Sequence, residues 1–225
     1  MVNVPRLILL PGLGADHRMF EPQRETFPDL YVPPWITPQP NESLAHYAAR
    51  LAERIDSASP MVLGGASLGG MIAWEMAQQL GPAALVLIGS SRSPEAVLPA
   101  VRKLKPLVRR IPGWLVRGTK PLAWLAVARF RRLTKQQRTL LARMYQDSDP
   151  QFVQWAGGAI LQWQPSPPPP TKIFQIHGAD DPILPAARIA DAEVIPNAGH
   201  LINFTHAERV NQVLRRAMEA AVERV

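Results

Sequence analysis

The feature that most constrains this chain is an alternation of short apolar runs with segments patterned as helices. RLILL at 6–10, MVLG at 61–64, ALVLI at 84–88 and KIFQI at 172–176 are apolar and strand-sized, with weaker strand signals at 30–32 and 192–195. Between and after them, apolar residues recur at helical spacing. In 41–56 these are Leu44, Tyr47, Ala48, Leu51 and Ile55, with Ser43 placed to cap. A second helix is expected over 67–80, stopped by Gly81-Pro82, and a third over 205–223 with Val210, Val213, Leu214, Ala217 and Ala221 inward. A strand that is apolar on both sides must be covered on both faces. The pattern therefore predicts an α/β chain with a mainly parallel sheet between helical layers.

Residues 92–165 interrupt the alternation. They are helical in composition and run into Pro165-Ser166-Pro167-Pro168-Pro169-Pro170, a stiff extended connector. The reading is an α/β core over 1–91 and 166–225, with an inserted helical cap over 92–165. The insert holds fourteen Lys and Arg against Glu95, Asp147 and Asp149, while the rest of the chain has a net acidic balance within a total of +7. The cap's Arg102, Lys103, Lys105, Arg109, Arg110, Arg117, Arg129, Arg131 and Arg132 form a solvated helical face, or else attract an anionic substrate or membrane surface. Trp155, Ala159 and Trp163 would share one helix face, and Trp114 and Trp124 lie among Leu115, Val116, Leu122 and Leu125. These aromatics pack the cap onto the core, and a subset could wall an apolar pocket.

Composition removes several classes. At 47% hydrophobic the chain is not disordered, and no run approaches the roughly 18 apolar residues of a membrane span. There is no cysteine, hence no disulfide and no thiolate nucleophile. The opening MVNVPRLILLPGLG has neither a charged leader region nor a cleavage site, so no signal peptide is read and a cytoplasmic location is expected. No histidine or carboxylate cluster has metal-ligand spacing, so neither metal nor cofactor is expected. No nucleic-acid motif accompanies the basic segment. Oligomeric state is not legible.

The strongest chemical signal is Gly65-Ala66-Ser67-Leu68-Gly69 between a strand run and a helix. A serine on so sharp a strand-to-helix turn projects its hydroxyl outward, and the residues two before and two after must be small because the arms of the turn approach closely. Such a hydroxyl needs a base, and the base an orienting carboxylate. Two loops past strand ends offer them: His177-Gly178-Ala179-Asp180-Asp181-Pro182 and Pro196-Asn197-Ala198-Gly199-His200.

With GASLGG, HGADDPILP and NAGHL in this order, the chain resembles the α/β-hydrolases over nearly its whole length. The resemblance implies Ser67 as nucleophile, His200 as general base and acid, and Asp181 as its orienter. The family pattern puts the acid third after the glycine. Asp180 competes, with a loop-stabilising role suiting it better, and Glu95 is a weaker alternative. The backbone N–H groups of Leu68 and Leu13 would form the oxyanion hole. Leu13 sits in Pro11-Gly12-Leu13-Gly14, which resembles the family's HGxG loop with Pro11 where His is common. A dinucleotide-binding reading of the same loop fails at His17, which stands where the third glycine belongs. His177 reads as structural, His17 as packed, surface or pocket-lining, and His46 and His206 as solvent-facing. Since larger relatives carry an antiparallel pair of strands ahead of the first run, about six strands are expected rather than eight.

The expected activity is ester hydrolysis through an acyl-enzyme on a small-molecule or acyl-chain substrate. Thioester or carbon–carbon bond hydrolysis would use the same triad. The reading from another class is a non-catalytic module binding a membrane or partner through the basic cap.

Overall fold

The computed structural model describes residues 5–96, 130 and 132–223. Five parallel strands form one sheet in the order β1 (Arg6–Leu10), β2 (Met61–Ala66), β3 (Ala84–Ile88), β4 (Lys172–Gly178) and β5 (Glu193–Ile195). The expected strand at 30–32 is a single bridge. Tyr31 N–H donates to Leu7 at 2.9 Å, and Leu9 N–H donates to Tyr31 at 3.0 Å. Pro33 and Pro34 follow and have no N–H, so the ladder stops there.

Alternation along each strand sends side chains to two layers. Ile8, Leu10, Met61, Leu63, Leu85 and Leu87 face α2 (Leu44–Ala52) and α3 (Leu68–Leu80). Leu7, Leu9, Val62, Ala84, Val86 and Ile88 face α7 (Ala207–Val222) on the other side. Ser43 caps α2 by accepting the His46 N–H at 3.1 Å. That helix is shorter than its apolar period because Arg54 and Ile55 donate three residues back and tighten the last turn, with Ile55 still buried. Gly81 ends α3 in the left-handed region at φ 52°. The expected helix over 205–223 is α7, which begins after His206, and a separate short helix, α6 (Ile202–Thr205), precedes it. Two four-residue helices complete that layer, a 3₁₀ turn His17–Phe20 and α1 (Glu21–Arg24).

The segment between β3 and β4 supplies α4 (Lys135–Asp147) and α5 (Pro150–Gln162). The expectations placed on Trp114, Trp124 and the basic residues from Arg102 to Arg131 lie outside the described residues. Helix α5 packs on α2. The Trp155 ring lies 4.3 Å from that of Tyr47, Phe152 stacks on Trp35 at 4.9 Å, and Trp155 Nε1–H donates to the Glu42 carbonyl at 2.8 Å. Buried Glu75 of α3 accepts from Trp163 Nε1 (2.7 Å), Ser166 N (3.0 Å) and Ser166 Oγ (2.6 Å). Trp74 and Gln78 donate to the Ser166 and Pro167 carbonyls, strapping the proline run along α3. Among the described residues no helix is long and apolar enough to cross a membrane.

The connection from β1 to β2 reverses direction across the sheet. After β1 the chain turns outward to the Tyr31 bridge, then crosses back to lay β2 on β1's other side. The carboxyl end of the sheet at such a change of direction is the position where open α/β sheets hold ligands.

Candidate active site

Ser67 joins β2 to α3 with φ 52° and ψ −120°, a conformation side-chain-bearing residues rarely adopt. Neighbouring bonds hold it. Its N–H donates to Ile88 at 3.0 Å, and the buried Ser90 hydroxyl donates to its carbonyl at 2.6 Å. A Cβ at Gly65 would stand 2.6 Å from the Gly69 oxygen, and one at Gly69 would overlap the Leu10 and Pro11 carbonyls. Only glycine lets the two arms of the turn and the loop after β1 close on one another. Although Ser67 is the N-cap residue of α3, its side chain makes no capping bond, which leaves Oγ for another partner.

That partner is His200. Its Nε2 lies 3.0 Å from Ser67 Oγ, and its Nδ1 lies 2.6 Å from Asp181 Oδ2. Asp181 comes from the loop after β4 and His200 from the loop after β5. The other carboxylate oxygen, Oδ1, accepts the N–H groups of Ile183 (2.8 Å) and Leu184 (2.9 Å). Burial pushes the Asp181 pKa up. The bonds from His177 and His200, the charge of His200 and the Leu184 N–H outweigh it and hold the group well below the usual carboxylate range. An anion fixed on Nδ1 selects the tautomer with its proton there and leaves Nε2 free to accept the serine proton.

The competing acids stand elsewhere. Asp180 turns outward to pair with Arg132 at 2.7 Å, both half-exposed, while Arg132 also donates to the Asn197 carbonyl. Glu95 bonds the Ser93 hydroxyl. Leu68 is the first residue of α3, so its N–H has no helical acceptor. Leu13 is exposed in the loop after β1. This loop is tied down at several points. Gly12 N–H donates to the Met19 sulfur at 3.2 Å, Trp35 Nε1–H to Ala15 at 3.1 Å, and Arg18 joins Asp16 (2.6 Å) to Asp147 of α4 (2.8 Å).

Of the remaining histidines, His17 is exposed beside Asp16, and His46, more than half exposed, meets Glu42 at 2.8 Å. His206 bonds Thr205 at the break before α7. His177 is fully buried against Asp181. Sequence reasoning gave His177 a structural reading without linking it to Asp181, and passed over Ser90. The four-residue step from His177 to Asp181 carried a signal, whereas Ser90 sits in a loop with no pattern to mark it.

A parallel sheet between helical layers, with serine, histidine and carboxylate gathered at its carboxyl edge, defines an α/β protein with a hydrolase-type site. The chain belongs to the alpha/beta hydrolase family, whose sequence model matches residues 7–213. A search of curated proteins returned no match. Among solved structures the chain is similar to a thermophilic esterase from Thermogutta terrifontis (23% identity, 96% of this chain and 90% of that one, TM-score 0.68). It is also similar to the enol-lactonase from Burkholderia xenovorans LB400 (16% identity, 96% and 92%, TM-score 0.76). A third likeness is to epoxide hydrolases from metagenomes of hot environments (16% identity, 97% and 92%, TM-score 0.69). At these identities the likeness is one of fold.

Proposed function

We propose that this chain is a serine hydrolase that cleaves carboxylic esters of small or acyl-chain substrates, with 92–165 as a cap over the site. The observation that carries the reading is the continuous relay from Ser67 Oγ through His200 to Asp181, at 3.0 and 2.6 Å. Ser67 Oγ bonds to the acyl carbon as its proton passes to His200 Nε2. The N–H groups of Leu68 and Leu13 receive the negative charge that develops on the carbonyl oxygen. The bond to the alcohol breaks, and the alcohol leaves with the proton from His200. Water then attacks the acyl-serine and gives a proton to His200, which returns it to Ser67 as the acid departs. Asp181 stays ionised throughout, in keeping with its lowered pKa.

A fluorophosphonate probe and a panel of esters and thioesters of graded acyl length test this. The expected result is labelling at Ser67 and ester turnover, both lost in Ser67→Ala. Folded wild-type protein that neither labels nor turns over any member would refute it. Preferential turnover of thioesters would move the substrate class and leave the mechanism standing.

A further inference from the structure

We propose that His177 is a positioning residue. As a neutral imidazole with its proton on Nε2, it locks the loop after β4 and aims Asp181 Oδ2 at His200. The inference rests on reading Asp181 and His200 as the orienting acid and the base.

His177 is the penultimate residue of β4, and its side chain and that of Asp181 are both fully buried. Its Nε2 lies 2.7 Å from the Leu184 carbonyl and 3.1 Å from Asp181 Oδ2. Both neighbours are acceptors, so Nε2 must carry a proton. Nδ1 is buried without a hydrogen-bond partner among the described residues. A second proton there would create an unpaired buried donor on a cation, which is costly, so the ring is neutral. The N–H bonds the Leu184 oxygen, and its positive end also faces Oδ2.

Two effects follow from one bond. The Leu184 carbonyl is fixed to β4, while the Leu184 N–H and that of Ile183 hold Oδ1. The carboxylate is thus anchored at Oδ1 through a loop that His177 pins to the sheet. Oδ2 is left between two imidazoles, one donating at 2.6 Å from His200 and the other facing it at 3.1 Å. Without His177, Asp181 would keep its backbone donors on a looser loop, and Oδ2 would lose the group that offsets its burial on the side away from His200. The polar partners of His177 are the Leu184 carbonyl and Asp181 Oδ2, so its effect passes through Asp181.

The test compares His177→Gln with His177→Met, side chains of nearly equal length that differ in carrying an N–H donor. The expected result is that Met lowers kcat roughly ten- to a hundredfold, the scale on which partners one step removed from a reacting centre act in metal sites. KM stays within about twofold, and Gln restores most of kcat. In an Asp181→Asn background the Met substitution has almost no further effect, because the group it acts through is gone. Nitrogen NMR of the wild type, which needs neither substrate nor variant, is expected to show His177 neutral and protonated at Nε2. The far-downfield proton of the His200–Asp181 bond should shift or vanish in the Met variant and persist in the Gln variant. A wild-type ring protonated at Nδ1, equal losses from Met and Gln, or the same loss in the Asp181→Asn background would each overturn the proposal. Absent turnover and labelling in wild type would fault the proposed reaction, while the NMR result would still decide the role of His177.

Discussion

Replacing Asp181 with asparagine changes one atom and should nearly abolish turnover. The reason lies in which oxygen is replaced. Oδ1 accepts two backbone N–H groups, from Ile183 and Leu184, so the amide oxygen of asparagine must occupy that position. The amide NH₂ then falls where Oδ2 stands, 2.6 Å from His200 Nδ1 and 3.1 Å from His177 Nε2. A donor now faces the Nδ1 proton. His200 relieves the conflict by moving its proton to Nε2, which then points at Ser67 Oγ and cannot act as a base. The equivalent exchange in a well-studied serine triad costs about 10⁴ in kcat, or about 5.5 kcal/mol of activation free energy. Asp180→Asn is the control. It removes only a half-exposed pair with Arg132, worth at most about 1 kcal/mol of stability, with kcat within about twofold of wild type. The assay is steady-state hydrolysis of an activated ester, with thermal melting to establish that both variants fold. Retention of more than about a hundredth of wild-type kcat in Asp181→Asn, or an equal loss in Asp180→Asn, would refute the assignment of the acid.

Two further outcomes follow from the same structure. Glu75→Leu strips the acceptor from Trp163 Nε1 and the Ser166 N–H. It should cost about 3 kcal/mol, read as a lower urea midpoint, while Glu75→Gln stays within about 1 kcal/mol; an unchanged midpoint in the Leu variant would contradict this. The Asp181 pKa is lower in the folded chain than its ordinary value of 3.8. Its stabilising contribution is therefore complete above that value and fades as pH falls below it. Between neutral and acidic pH the stability of the wild type should fall more steeply than that of Asp181→Asn, and parallel curves would count against the lowered pKa.

Much of the fold was legible because it depends on local pattern. Strand runs at 6–10, 61–64, 84–88 and 172–176 became β1 to β4, and the apolar period of 41–56 became the buried face of α2. The small residues around Ser67 marked the turn because Gly65 meets Gly69 within five residues, while the loop after β1 adds its own exclusion at Gly69. The run at 30–32 was less legible, because the two prolines after it limit how far a ladder extends without saying that it shrinks to one bridge.

By itself, the sequence determined that a strand, a constrained serine and a helix would follow one another, and that a carboxylate loop and a histidine loop would come later in that order. These are short-range matters of backbone sterics and hydrophobic period. Only the tertiary structure decided which of two adjacent aspartates turns inward, that His177 meets the inward one, and that Trp155 and Trp163 tie α5 to Tyr47 of α2 and Glu75 of α3. A side chain's direction in a loop depends on which donors distant segments bring to it. Asp181 faces inward because two backbone N–H groups and two imidazoles surround its carboxylate, whereas Asp180 faces Arg132 and solvent.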